Sequence, residues 1–284
     1  MVLVTSANGK TARAIIPQLV QRGEQVRAVS RHLAREVVPG VEYVSGDMTD
    51  LSVVARCVKG ASTIVHIAPA FHPREVFMGT ALIDAAQAAG ASKFVCMSVI
   101  HSQIEELTNH SNKRSVESYL MRTRMDWSIL QPQHYMQNID IDQAIKSRTV
   151  ALPYSPTVTL GFVDLRDVAE IVAKVATERG HRWATYELAS SEHLSTEDIA
   201  RTISLASGLV VLPGRLDVTT LVEAIAAHMD PSTFDEDSAR GYRRLFEYYD
   251  QFGITGNGRI LTWLLGRAAT SFFGYCQRHV PMLN

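Results

Sequence analysis

The stretch Val2-Leu3-Val4-Thr5-Ser6-Ala7-Asn8-Gly9-Lys10-Thr11-Ala12 decides the fold. A short apolar strand, Val2 to Thr5, runs into a turn of small residues, and a helical stretch from Thr11 to Arg22 follows and stops at Gly23. Aligned to a G-x-x-G-x-x-G turn, Ser6 and Ala12 take the outer positions and only Gly9 is kept. Small side chains there let the backbone approach a pyrophosphate at the helix N-terminus, where unbonded N–H groups and the helix dipole favour anions. Asn8-Gly9-Lys10-Thr11 also ends like a P-loop. That motif needs a glycine five positions before Gly9, and Val4 stands there inside the strand, which argues against nucleoside-triphosphate chemistry.

Outward from this turn, apolar strands alternate with helical stretches, the rhythm of βαβ units and a mostly parallel sheet. The strands expected are Val2 to Thr5, Val26 to Val29, Val41 to Val44, Thr63 to Ala68, Phe94 to Ser98 and Trp127 to Leu130. Continuous rather than alternating apolar runs mark them as buried on both faces. The helices between are expected at Thr11 to Arg22, Leu51 to Val58, Pro73 to Ala89 and Asn112 to Arg124. Gln131 to Thr159 reads as loop and short strand. Helices follow at Leu165 to Thr177 and at Thr196 to Ser207, the latter capped by Ser195, and a last strand at Tyr186 to Ala189. Beyond Gly214 the chain reads as wholly helical, at Thr219 to His228, Asp235 to Phe252 and Ile260 to Cys276.

The expected fold class is therefore α/β, a Rossmann doubly wound parallel sheet with a smaller, mainly helical C-terminal substrate lobe. The whole of residues 1–284 reads as a single unit, with the core at about 1–131 plus 160–190 and the lobe at about 132–159 and 191–284.

Composition narrows the function. With 28 Lys and Arg against 29 Asp and Glu the net charge is -1, so no surplus field attracts nucleic acid or anionic lipid, and no direct nucleic-acid or membrane partner is expected. Three scattered cysteines, Cys57, Cys96 and Cys276, have no metal or redox spacing and fit a reducing, cytoplasmic location. Ten histidines fall into no ligand pattern, so no metal site is expected.

The chain resembles the NmrA-like branch of the atypical short-chain dehydrogenase/reductases. The resemblance rests on the turn Thr5 to Ala12, Val26-Arg27-Ala28-Val29-Ser30-Arg31, Gly46-Asp47-Met48, and Lys113 followed by Glu117. It continues through Ile129-Leu130-Gln131-Pro132 with His134-Tyr135 and Asn138, through Val163-Asp164-Leu165-Arg166-Asp167-Val168-Ala169, and into Leu264-Leu265-Gly266-Arg267 and Thr270-Ser271-Phe272. It implies an NADP(H)-binding Rossmann fold that serves either reductase chemistry on small molecules such as quinones and ketones, or a regulator that senses the dinucleotide without turning it over. A small-molecule substrate is then the main partner, with a homo-oligomer or a protein partner as a further possibility.

The second strand ends in Ser30-Arg31, where a site selecting NAD usually offers Asp or Glu to the ribose hydroxyls. A guanidinium can grip a 2'-phosphate through paired hydrogen bonds. The cofactor-binding set is then Thr5, Ser6, Asn8, Gly9, Lys10 and Thr11 of the turn, Arg31, Asp47 and Met48 at the adenosine end, and Ala68, Pro69, Lys113 and Pro132 farther along. The resemblance sets Asp47 against the adenine amino group and Ala68-Pro69 beneath the cofactor. At the chemical end it matches Lys113 to the lysine of Tyr-x-x-x-Lys, but the tyrosine position holds Asn109, which is no general acid. The catalytic candidates are Lys113, Tyr135, His134 and Ser98: Lys113 for the nicotinamide ribose and developing charge, Ser98 for a substrate oxygen or a cap at the end of its strand, and His134 and Tyr135 past Pro132 at the ligand-binding sheet edge. His110 reads as a loop histidine and Asp164, Arg166 and Asp167 as structural.

Overall fold

The computed structural model describes residues 1–32 and 36–280. The chain folds into two compact units, Met1–Gln131 with Val168–Tyr186, and Pro132–Asp167 with Glu187–Asn284.

In the first unit, β1 (Val2–Val4), β2 (Val26–Ser30), β3 (Val41–Ser45), β4 (Thr63–Ile67), β5 (Lys93–Met97) and β6 (Asp126–Pro132) alternate with α1 (Lys10–Gln21), α2 (Leu51–Val58), α3 (Glu75–Ala88) and α4 (Thr108–Leu120). Six parallel strands run in the order β3-β2-β1-β4-β5-β6, with Val2 in register with both Val26 and Thr63. A seventh strand, β10 (Ala184–Leu188), lies beside β6. The expected doubly wound Rossmann class is found, with the order reversing between β1 and β4.

β1, β4 and β5 are buried along nearly their whole length, as continuous apolar runs predict, whereas the edge strand β3 is half-exposed, with Glu42 and Ser45 in solvent, and is not covered on both faces as expected. Leu3, Ile64, Phe94 and Ile129 are buried with Leu82 and Ile83 of α3 and Val116 and Leu120 of α4. Each such side chain contributes about 1.5–3 kcal/mol by leaving water. Gly79 lets α3 approach α4 closely, since a Cβ on it would come 2.7 Å from a methyl of Val116. Among the described residues no helix is long and apolar enough to cross a membrane, and no group of His, Cys, Asp and Glu could hold a metal ion. All three cysteines are free and buried.

Helix α4 departs from expectation. It begins at Thr108 and ends at Leu120, four residues earlier at each end than the sequence suggests. His110 is therefore not a loop residue: it lies in the helix, fully buried, with Nδ1 2.8 Å from the carbonyl of His101.

In the second unit, β7 (His134–Tyr135) and a 3-10 turn at Met136–Asn138 are followed by α5 (Ile141–Ser147), β8 (Thr149–Leu152) and β9 (Leu160–Val163). Gln131 to Thr159 is thus more ordered than expected. Asp140 caps α5 by accepting from Gln143 N, and Arg148 closes it in the left-handed conformation. Helix α6 (Leu165–Thr177) passes from this unit into the first; β11 (His193–Leu194), α7 (Thr196–Ser207), β12 (Leu212–Arg215), α8 (Val218–His228), α9 (Glu236–Phe252), α10 (Arg259–Leu265) and α11 (Phe272–Gln277) complete the chain. Two small sheets, β11-β9-β7 and β12-β8, were not legible, because two- to four-residue strands carry no periodicity. Nor is Ile260 to Cys276 one helix: Gly266 at φ 69° ends α10 and Ser271 caps α11.

Two buried carboxylates hold the tail of this unit. Asp164 accepts from Gln137 Nε2 at 2.6 Å, from Arg166 N at 3.0 Å and from the guanidinium of Arg278. Asp167 accepts from Arg267 at 2.9 Å and from Thr270 N at 2.6 Å. Removing a carboxylate from such a set leaves a buried amide and a half-buried cation without their acceptor. Asp164→Ala is expected to lower unfolding stability by about 2–3 kcal/mol in urea titrations, and Asp164→Asn, which keeps one acceptor, by less.

Candidate active site

Beyond the carboxyl ends of β1, β2 and β4, at the reversal of strand order, lies a cleft of about 220 Å³ within the first unit. Its floor is the turn that leaves β1. Ser6 sits at φ 56°, a conformation natural to glycine, and its Oγ donates to Ile67 O at 2.6 Å. That bond offsets the left-handed backbone and explains how serine occupies the first glycine position. Thr5 continues the pairing of β1 with β4 through its side chain, Oγ1 accepting from Ile67 N at 2.8 Å. Gly9 is the N-cap of α1, and a Cβ there would come 3.2 Å from Ser6 O. No side chain caps α1, because the residue in place to do so is this glycine. Ala12, at the third small position, is fully buried where α1 packs on the sheet.

Of the residues expected from sequence, Thr5, Ser6, Asn8, Gly9, Arg31, Asp47, Met48 and Pro69 line this one cleft. Lys10, Thr11, Ala68, Lys113 and Pro132 are not among its lining. His32, His66, His72 and Met78 do line it and were not foreseen. A histidine inside an apolar strand, as His66 is in β4, is a signal that was available.

His66 is fully enclosed, with Nδ1 3.2 Å from Thr5 Oγ1 and Nε2 without a partner. Burial, reinforced by the positive charge of Lys113, depresses its pKa to about 3. His72 is lowered too, first by burial and then by the charge of Arg31, with Asp47 and Glu75 pulling the other way. Asp47 Oδ1 accepts from Thr49 N at 2.8 Å, bending the chain after β3 toward α2, whose cap is Asp50.

Lys113 and Asn109 share one face of α4, one turn apart. Both are buried, and the ammonium of Lys113 is paired with the wholly buried carboxylate of Glu75 on α3. One oxygen of Glu75 and the amide oxygen of Asn109 have no partner. Ser98 does not stand open at the sheet edge: its hydroxyl donates to Glu117, which also accepts from Ser102 Oγ at 2.8 Å and Gln131 Nε2 at 2.9 Å. His134 and Tyr135 belong to the second unit, where the His134 ring meets Tyr249 edge-on at 5.1 Å and lies 5.7 Å from Phe162. Tyr154 and Tyr249 in that aromatic cluster are pushed well above the usual phenol range by burial.

A model of the NmrA-like family matches residues 1–273. The chain belongs to that family. Along its length this NmrA-like chain is 25% identical over 289 residues to the NAD(P)H azoreductase of Xenophilus azovorans, covering 98% of each chain. Its fold is similar to that of the NADPH-dependent quinone oxidoreductase of Escherichia coli complexed with NADPH, at a TM-score of 0.79 and 18% identity over 98% of this chain and 99% of that one. It is also similar to NmrA, a negative transcriptional regulator, in complex with NADP, at a TM-score of 0.78 and 15% identity over 99% and 95% of the two chains. At these identities the two structures speak for the fold alone.

The buried imidazoles tie stability to acid. His66 and His110, lowered by burial to about 3 and about 4, stay neutral in the folded chain, whereas an unfolded histidine takes up its proton near pH ~6.5. Below that pH the unfolded state binds more protons, so stability present above it is lost as pH falls toward about 4. Urea unfolding at pH 7.5, 6.0 and 5.0 is expected to show a loss of about 1 kcal/mol per pH unit for each such histidine. His110→Gln is expected to flatten that slope.

Proposed function

We propose that this chain is an NADPH-dependent reductase of small carbonyl, quinone or related aromatic compounds. The observation that carries the reading is the cleft itself, in which an uncapped helix N-terminus and Arg31 face one space and the end of β2 bears no carboxylate. The residues present fit a phosphorylated dinucleotide. The α1 terminus and the Ser6–Gly9 turn would take the pyrophosphate, Arg31 the 2'-phosphate, and Asp47 with Met48 the adenine, while the unpartnered Nε2 of His66 offers a polar contact deep in the cleft. The azoreductase relative, matched over 98% of each chain, supports reduction of such compounds.

When bound, the cofactor supplies a hydride from C4 of the nicotinamide. The chain's own part is then to place the acceptor and meet the charge that develops on it. Lys113 is the group we assign to that charge: a buried ammonium stabilises an anion far more than an exposed one does. Glu75 holds the ammonium in place through a buried ion pair. Asn109 cannot give a proton, and the Ser98 hydroxyl is committed to Glu117, so within the first unit the proton comes from Lys113 or from solvent.

One observation favours a second reading, a non-catalytic NADP(H) sensor acting through a protein partner: the Lys113 charge is already answered by Glu75 while Asn109 stands where a phenol would serve. NmrA, whose fold this chain shares, is a negative transcriptional regulator in complex with NADP.

The two readings separate in one experiment. NADPH binding is titrated by fluorescence, and NADPH oxidation is followed at saturating cofactor against quinones, aryl ketones and azo dyes. The reductase reading requires turnover on at least one class; tight binding without turnover on any supports the sensor. Gly9→Val is expected to abolish binding of either dinucleotide while leaving the far-ultraviolet circular dichroism unchanged, because a branched side chain at the α1 N-cap would stand where we propose the pyrophosphate binds. Lys113→Met is expected to lower turnover by roughly a hundredfold or more, well beyond its effect on NADPH affinity. Equal losses in both would make Lys113 a binding residue only.

A further inference from the structure

The backbone leaving β2 is held as firmly as the strand itself. Four successive carbonyls, those of Val29, Ser30, Arg31 and His32, each accept a hydrogen bond from the turn after β1 or from the end of β3. Two of these bonds are backbone to backbone: Ala7 N donates to Val29 O at 2.9 Å, and Gly46 N to Ser30 O at 3.0 Å. The others depend on side chains. Ser45 Oγ donates to Arg31 O at 2.9 Å, and Asn8 Nδ2 donates to His32 O at 3.1 Å, with Ser30 Oγ on the same oxygen at 2.7 Å.

Arg31 and His32 have left the sheet, and both line the cleft. A pair of residues past a strand end ordinarily keeps its backbone freedom, and a ligand that needs both must order them on binding. Here the ordering is done in advance, by hydroxyl and amide groups that only particular side chains supply. Asn8 couples the segment to the pyrophosphate turn, and Ser45 couples it to β3. Ser45 is exposed and does not line the cleft, so whatever it contributes to binding passes through the Arg31 backbone.

We propose that Ser45 and Asn8 are positioning residues for cofactor selectivity, fixing the Arg31–His32 backbone so that guanidinium and imidazole together meet a 2'-phosphate. The proposal rests on the NADP(H) reading above and adds to it two determinants outside the arginine, with His32 as the second side chain on the phosphate.

The test uses the full-length protein and two probes that carry only the adenosine end, 2',5'-ADP and 5'-AMP, measured by isothermal titration calorimetry. The wild type is expected to prefer 2',5'-ADP by roughly tenfold or more. Ser45→Ala is expected to weaken 2',5'-ADP by about three- to tenfold while 5'-AMP changes less than about twofold, and Ser45→Thr, which keeps the donor, to retain the preference. His32→Ala and Asn8→Ala are expected to narrow the preference in the same direction. An unchanged preference in Ser45→Ala, or equal loss of both probes, overturns the proposal and leaves the NADP(H) reading standing, with Ser45 serving only the fold. A wild type without preference for the 2'-phosphate overturns both.

Discussion

The turn from β1 into α1 must change direction within five residues while keeping the pairing with β4 intact, and the rest of the cleft depends on how it does so. Thr5 meets that constraint by lending its hydroxyl to the β4 ladder, and Ser6 by entering the left-handed region with its own hydroxyl bonded to Ile67 O. Together they leave Gly9, with no side chain, at the head of α1. A side chain at that point would crowd Ser6 O and close the approach to the helix N-terminus. The absence of two of the three glycines is thus not a loss of the motif. Serine is tolerated because it forms a compensating bond, and alanine because its position is a packing contact.

Around this turn, buried charge is handled in pairs and networks rather than left to solvent. Glu75 answers Lys113, and Glu117 gathers Ser98, Ser102 and Gln131. In the second unit Asp164 and Asp167 gather Arg278, Arg267 and the Thr270 amide. A buried ion with one partner removed is costly, so such sets make the surrounding helices interdependent. The exceptions are informative. His66 Nε2, one oxygen of Glu75 and the Asn109 amide oxygen are buried without partners in the first unit, as are Asp126 Oδ1 there and Gln133 Nε2 in the second. Unpaired polar atoms are rare in interiors, and of these five only His66 Nε2 belongs to a residue that lines the cleft.

On the reductase reading proposed above, the chemistry follows from what the site has in place of a phenol. Asn109 removes the ordinary acid, and the helix that carries it also carries Lys113 one turn later, facing Glu75. An ammonium held by a buried carboxylate is a stabiliser of negative charge first and a proton source second. Acceptors that delocalise charge, or that take their proton from water, suit such a site better than simple ketones do.

Much was legible in the amino-acid sequence because it rests on local physics. Continuous apolar runs placed six strands of the main sheet, glycine stops placed α1, α2 and α3, and small residues after β1 with Arg31 after β2 pointed to the cleft. Local rules failed where order depends on distant partners. The two- to four-residue strands of the second unit exist because another strand lies beside them, and α4 begins at Thr108 although its first turn carries no apolar pattern. Only the tertiary structure could decide that His66 and His72 join the cleft, that Ser98 spends its hydroxyl on Glu117, and that Lys113 meets Glu75 thirty-eight residues away. A sequence records which groups can donate, accept or carry charge; which of them meet is set by the packing of strands and helices that are far apart along the chain.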